Sequence, residues 1–131
     1  MSLSAYRRTL ALTETPRQIE RRIMLRITTD LSTYADKFDL ATARAERLYV
    51  LASGLREALS DNVRFWSAMK TDLLTPGNAL PPEVRGGLVK LAGFVERHTG
   101  AVLGGGGTVA ALVEVNRPVI AALSGQKEDA G

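Results

Sequence analysis

The chain has 131 residues, the length of one domain, and its 45% hydrophobic and 24% charged residues are typical of a globular protein. It has no cysteine and one histidine, His98, which excludes disulfides, thiolate metal sites, cysteine nucleophiles and two-histidine metal motifs. The net charge is +3, and the whole excess lies in residues 1–30, where six arginines oppose three acidic residues.

Targeting signals are not evident in the sequence. The first residues lack a long apolar stretch before a small-residue cleavage site, and no run approaches the ~18 apolar residues of a membrane span. We therefore expect neither a secretion signal nor a transmembrane helix. Without cysteines to indicate an oxidising compartment, we expect a cytoplasmic protein.

The N-terminal part consists of an arm over 1–14, which is either irregular or a short helix, and a first clear helix. Thr15-Pro16 begins this helix, because Thr15 can cap it, Pro16 suits the first turn and Gln18 can complete a capping box. Apolar residues at i+3 and i+4 steps predict that it runs over about 16–36.

The next predicted helix is unusually long. The apolar pattern restarts at Phe38, and Asp39 is the expected N-cap. The pattern then continues over about 40–73, which predicts one helix ~50 Å long with Gly54 or Ser60-Asp61 as places where it bends or divides. We favour one long, kinked helix. Its apolar stripe is expected to be unbroken and to consist of Leu48, Leu51, Ala52, Leu55, Leu59, Val63, Trp66, Met69 and Leu73.

A proline- and glycine-rich turn separates the long helix from a third one, which is predicted from Pro81 or Pro82 to about 103. Gly104–Gly107 is a break, and Thr108 is expected to cap a last helix.

Inside that last helix, Pro118 should cause a kink or an early end. Residues 125–131 are predicted to be a polar tail. Because no segment shows a strand pattern, the fold class is all-α: a single-domain bundle of four to five helices over 15–124, with one long central helix.

The glycine run and the lone histidine are the two features that invite a catalytic or phosphate-binding interpretation. A phosphate loop needs a preceding strand and a following Lys-Ser or Lys-Thr pair, whereas Gly104–Gly107 follows a helix and leads to Thr108-Val109, so we interpret the run as a linker. His98 lies in register with the apolar stripe of its helix. A catalytic histidine would need a nucleophile within hydrogen-bonding reach, and the sequence indicates none, so we predict a structural role. With no catalytic set, metal ligands or cofactor motif in the sequence, we do not expect an enzyme.

Four polar residues lie within or beside the apolar stripes of the main helices. A buried carboxylate or amide without a partner is costly, so partners are expected. We predict that some of the four hydrogen-bond to each other or to helix ends and fix the register of the bundle. A small polar pocket is the functional alternative. The residues are Glu20, Asn62, His98 and Asn116.

The arginines of the first segment can be interpreted as a solvated surface, an RNA site or a protein-docking site. RNA binding through phosphates is disfavoured by the small net charge and by only seven aromatic residues without an RRM- or KH-like pattern. Arg17/Arg21 and Arg22/Arg26 are like-charged i,i+4 pairs, which are tolerated on a solvated face and are natural where an acidic partner docks.

Several short motifs, taken in order over residues 5–124, resemble the FlaF family of flagellar biosynthesis regulators. Each motif alone is weak, and their order and spacing carry the resemblance. Pro118 and the glycine-rich linker depart from the family pattern. The motifs are Ala5-Tyr6, Thr15-Pro16-Arg17 with Glu20, Asp61-Asn62-Val63-Arg64-Phe65-Trp66, Asp72-Leu73, Pro76-Gly77-Asn78-Ala79-Leu80-Pro81 with Arg85, Phe94-Val95 with His98, and Asn116-Arg117.

This resemblance implies regulation rather than catalysis. It implies a protein that promotes flagellin production after transcription, works opposite the repressor FlbT, and binds flagellin as an export chaperone. Flagellin termini are amphipathic helical segments, which a helical bundle with an apolar groove can shield. The expected partners are flagellin and FlbT, with no membrane and no small-molecule substrate. An RNA-associated translational regulator of flagellin message is the alternative.

The resemblance also assigns roles to its motif residues. Trp66 is expected to be a core anchor whose indole N–H needs an acceptor. Asn78 is expected to hydrogen-bond the backbone of the turn that also contains Leu80. An Asp72–Arg85 pair would brace the two helices that this turn joins.

For partner binding we expect residues near the N-terminus, where apolar and cationic groups coincide. The residues 3–13 form an amphipathic stretch that would cover a groove of the bundle. The expected binding residues are Tyr6, Leu10, Arg17 and Arg21.

Overall fold

A computed structural model describes residues 15–129, with side chains as far as Ser124, so the arm at 1–14 lies outside the described residues. The described part contains helices only, which confirms the all-α class and the single long central helix. None of these helices is both long and apolar enough to span a membrane. The helices are α1 (Pro16–Asp39), α2 (Arg44–Val50), α3 (Arg56–Leu74), α4 (Pro82–Leu103) and α5 (Val109–Asp129), with a π-helical turn (Leu51–Leu55) that joins α2 to α3.

The start of α1 is the capping box that the sequence predicts. The Gln18 backbone N–H donates to Thr15 Oγ1 over 3.1 Å, and the Thr15 N–H donates to Gln18 Oε1 over 2.8 Å. Two of the otherwise unpaired N-terminal amides are thereby satisfied.

The end of α1 differs from the prediction, because Asp39 is its last residue rather than the cap of the next helix, which begins at Arg44. The physical reason is the burial of Phe38, which is fully shielded from solvent and lies under the Arg47 guanidinium at 4.6 Å. Burying that ring against the bundle requires one more helical turn.

The helices pack as two antiparallel pairs around one core. The α3–α4 pair is joined by a short turn, and its surface ion pair between Lys70 and Glu96, at 3.8 Å, adds little stability. The α1–α5 pair makes the most extensive contact, and α1 also packs against α3. Hydrogen bonds set the register of α1 and α5 at three levels: Arg21–Ser124, Thr28–Asn116 and Asp39–Val109.

The central helix bends at Gly54, one of the two places that the sequence indicated. Gly54 has φ 138° and ψ −18° inside the π-helical turn, a backbone conformation that favours glycine. The Tyr34 hydroxyl lies against it and donates to the Ser53 carbonyl over 3.4 Å. The extra residue of the π turn shifts the phase of the apolar stripe. Leu48 and Ala52 are therefore exposed, and the prediction of an unbroken stripe is wrong.

Helix α5 continues through Pro118 to Asp129, so Pro118 does not end it and the first residues of the predicted polar tail are helical. Pro118 is exposed, between the buried Asn116 and Val119. The carbonyl of Glu114 loses its helical N–H partner at Pro118, and both residues are exposed, so water can replace that partner.

We expect Gly54→Ala to lower the free energy of unfolding by roughly 2 kcal/mol or more. A non-glycine residue at positive φ costs ~1–3 kcal/mol, and the added methyl group would overlap the Tyr34 hydroxyl. Urea denaturation measures the change. Gly87→Ala is the matched control, because it lies within α4 with nothing within 4 Å of the added methyl group, and it should stabilise the protein by up to ~1 kcal/mol. Equal stability of Gly54→Ala and the wild type would contradict the role given to the bend.

Candidate functional site

A groove of about 470 Å³ runs along the surface between α1 and α5. Its floor contains the apolar side chains of Leu25 and Ile120, and its charged side chains are Arg21 and Arg117. The remaining lining is small and rich in hydroxyl groups: Thr28, Thr29, Ser32, Ala121 and Ser124. An apolar floor with a few polar groups at its edges is the usual composition of a binding site.

The register of the two helices fixes the order of these groups along the groove. Arg21 lies level with Ser124, and Thr28 lies level with Asn116. Because the helices are antiparallel, Ile120 lies level with Leu25, about midway between the levels of the two arginines. The groove is therefore apolar in its middle and cationic towards both ends.

Arg21 is held in position by the opposite wall of the groove. It is half-buried, and its Nε donates to the Ser124 hydroxyl. Arg117 on the other wall is exposed. No carboxylate is among the groove-lining residues that the structure describes.

A buried hydrogen-bond network lies directly beneath the groove. The Asn116 amide donates to Thr28 Oγ1 over 3.0 Å and to Asn62 Oδ1 over 2.9 Å, and its Oδ1 accepts from Trp66 Nε1 over 2.9 Å. Asn62, Trp66 and Asn116 are fully shielded from solvent. The network connects α1, α3 and α5, so the walls of the groove are fixed relative to each other.

The structure brings together two of the four polar residues that the sequence nominated. Asn62 and Asn116 bond to each other, whereas Glu20 is exposed because Ile19 and Ile23, at flanking positions, take the inward direction. His98 is half-buried and lies at the opposite end of α5, where its Nε2 is 2.7 Å from the Thr108 carbonyl. Some of the four residues therefore bond to each other or to a helix end, as predicted, and Glu20 takes no part.

Thr28 is the member of the network that sequence reasoning missed. It lies four residues after Met24 and three before Leu31, both of which are fully buried. That spacing places Thr28 on the inward face of α1, and it could have predicted from the sequence that Thr28 is buried. Trp66, expected as a core anchor in need of an acceptor, finds that acceptor in Asn116.

The glycine linker is held by an arginine and does not form an anion site. Arg47 Nη1 donates to the carbonyls of Gly105 and Gly107 over 3.1 and 3.0 Å. The Asp39 carboxylate accepts from the N–H groups of Val109 and Ala110 over 2.7 and 3.0 Å. The first amides of α5, where a phosphate would bind, are thus occupied by this chain's own carboxylate.

The Pro-rich turn is organised by Asn78, as the sequence suggested. The Asn78 Nδ2 donates to the Asp72 carbonyl over 3.2 Å, and its Oδ1 accepts from the Leu80 N–H over 3.0 Å. Within the described part of the chain no ion pair joins Asp72 to Arg85. The Asp72 carboxylate instead accepts from Asn78 over 3.3 Å, which is closer along the chain, so the predicted brace is wrong.

Of the expected partner-binding residues, Tyr6 and Leu10 lie outside the described residues. Arg17 is exposed on α1, one turn before Arg21, which lines the groove. Among the residues that the structure describes, no group of three or more histidine or acidic side chains is placed to hold a metal ion.

Comparison with known protein families identifies a match over nearly the whole chain. A family model described as "Flagellar protein FlaF" matches residues 2–123. No curated protein and no solved structure matches the chain.

We expect Asn116→Ala to lower the free energy of unfolding by about 3 kcal/mol or more, since it leaves the Trp66 and Asn62 groups without partners and opens a cavity. Chemical denaturation followed by tryptophan fluorescence measures the loss. Glu114→Ala, at an exposed position on the same helix, is the control and should change stability by less than ~0.5 kcal/mol. Similar stability of the two variants would show that the network does not fix the bundle.

Asp39→Ala should destabilise the protein by ~1–2 kcal/mol, because it removes the carboxylate that caps the N-terminus of α5. Asp36→Ala, which removes an exposed carboxylate from the same helix, is the matched control. Thermal unfolding of the two variants, monitored by circular dichroism, separates the cap from a general effect of charge. An equal shift in both would contradict the capping role.

Proposed function

Because the chain belongs to the family of the flagellar protein FlaF, we propose that it binds flagellin in the cytoplasm, promotes its production after transcription and accompanies it as a chaperone until export. The proposal treats the protein as a regulator and binding module, with no chemical step of its own. FlbT is the further partner that the family suggests.

The groove between α1 and α5 is the observation that carries this proposal. Below the α1–α5 pair, α1 packs on α3 and Asn116 of α5 bonds to side chains of α3, so the groove on the other side offers a place where one more helix can lie along both. Its floor exposes apolar surface, including Leu25, which is 36% accessible. A groove between two helices with an apolar floor suits the apolar face of an amphipathic helix.

Binding of a flagellin helix in the groove would act as a chaperone by covering the apolar face of that helix. The family resemblance implies that the flagellin termini are amphipathic helical segments that need shielding before export, and an exposed apolar face promotes aggregation. Placing that face in the groove removes it from water while the helix keeps its polar side in solvent. The fixed walls of the groove, held by Thr28 and Asn116, lower the entropy lost on binding.

The alternative is an RNA-associated regulator of flagellin message, acting directly or with FlbT. Proteins that bind single-stranded RNA stack its bases on aromatic side chains. No aromatic side chain is among the described residues of the groove. This composition favours a protein partner over RNA.

The test is co-purification of this protein with full-length flagellin and with flagellins that lack either terminus. We expect complex formation at micromolar concentration with full-length flagellin and its loss on removal of one terminus. Binding should weaken by no more than a few-fold between ~50 and ~200 mM salt, because the groove is lined by only two cations among the described residues, whereas binding to RNA through several phosphates should weaken steeply. Failure with every flagellin form would remove the proposal.

Two variants test whether flagellin binds in the groove. Leu25→Asn in the groove should weaken flagellin binding about tenfold, which corresponds to ~1.4 kcal/mol. Leu40→Asn, at a side chain that is 79% accessible beyond the far end of α1, is the control and should bind like the wild type. Equal binding by both variants would place flagellin on another surface.

A further inference from the structure

We infer that the α1–α5 groove selects an amphipathic helix that carries two carboxylates two turns apart, at positions i and i+7, with an apolar residue between them. The inference deepens the proposed function and rests on it, because flagellin is the partner expected to supply such a helix. The argument depends on the charge, the spacing and the fixed geometry of the groove.

The charged side chains that line the groove are all positive. Its charged lining residues are Arg21 and Arg117, and Arg17 is exposed one turn before Arg21 on α1. Like charges at i and i+4 repel, at a cost of a few tenths of a kcal/mol. A carboxylate from a partner would remove this repulsion and form charge-assisted hydrogen bonds with the guanidinium groups.

The spacing of the two cations matches two turns of a helix. The levels of Arg21 and Arg117 differ by six to seven residues along α1, which at 1.5 Å per residue is about 10 Å. Positions i and i+7 of a helix lying along the groove are ~10.5 Å apart. The residue at i+3 or i+4 of that helix would then lie over Leu25 and Ile120, the apolar middle of the floor.

One of the two cations is already oriented. The bond from Arg21 Nε to the Ser124 hydroxyl fixes the plane of the guanidinium. Within the described part of the chain, the terminal nitrogens of Arg21 make no other hydrogen bond, so they are available to a carboxylate. A pre-oriented arginine loses less side-chain entropy on binding than a free one. Its planar fork suits two-point binding of a carboxylate, as it also suits a phosphate, and the apolar middle of the groove favours a helix as the carrier.

Three synthetic 18-residue peptides with the same leucine stripe test the inference. The first has glutamates at i and i+7 beside the stripe, the second has lysines there, and the third has the same two glutamates at i and i+5. Fluorescence anisotropy measures the affinity of each for the full chain. We expect the first peptide to bind at least tenfold tighter than the second and at least fivefold tighter than the third. Equal affinities would overturn the inference.

Charge reversal of the groove provides the second arm. In the double variant Arg21→Glu/Arg117→Glu the preference should invert, so that the lysine peptide binds at least tenfold tighter than the glutamate peptide. The matched control is Arg64→Glu/Arg97→Glu, which changes the net charge equally at exposed positions of α3 and α4 and should keep the original preference. An inversion in both double variants, or in neither, would contradict a site in the groove.

Two further measurements complete the test: competition by RNA, and the binding of flagellin to the charge-reversed variant. A 20-nucleotide single-stranded RNA that displaces the glutamate peptide, and that loses its affinity in Arg21→Glu/Arg117→Glu, would overturn the inference in favour of nucleic acid. Flagellin that binds the wild type and this variant equally would leave the proposed function intact and overturn the inference. Flagellin that binds neither, while the glutamate peptide shows the inversion, would remove the proposed function and support the selectivity of the groove.

Discussion

The side-chain amide of Asn116 makes three hydrogen bonds in the centre of the bundle, and the relative positions of three helices depend on it. It joins Thr28 on α1 to Asn62 and Trp66 on α3 from its own place on α5. Apolar side chains alone tolerate small shifts in register, because dispersion contacts have no preferred direction. A buried amide tolerates smaller shifts, since a shift leaves polar atoms without partners. The network therefore selects one arrangement of α1 against α5.

The lower end of the α1–α5 pair is fixed by charge rather than by a neutral network. Asp39, at the end of α1, caps the first turn of α5, and Arg47 binds the carbonyls of the glycine linker. The linker needs glycine where its backbone turns, for example at Gly105 with φ 91°. With both its middle and its lower end fixed, the pair presents a groove whose walls do not need to be ordered by a partner.

The proposed binding depends on the shape and charge of one surface. The groove has an apolar middle and a cation towards each end. This composition agrees with membership of a flagellar regulatory family and with a helical partner that is apolar along one face. The arginines that suggested nucleic-acid binding have different environments in the structure. Arg21 is half-buried and lines the groove, whereas Arg17 is exposed to solvent.

The sequence by itself determined the helical class, the start of the first helix and the turn chemistry, because these depend on residues three or four positions apart. The capping box at Thr15 and the turn around Asn78 are examples, whereas for the bend the sequence left Gly54 and Ser60-Asp61 as alternatives. It also indicated that Asn62 and Asn116 needed partners. Only the tertiary structure decided which partners they have, that Asp39 caps α5, and that Glu20 and His98 stay apart from the network. Those outcomes join residues up to 88 positions apart in the chain, and the positions of whole helices, rather than local periodicity, set such contacts.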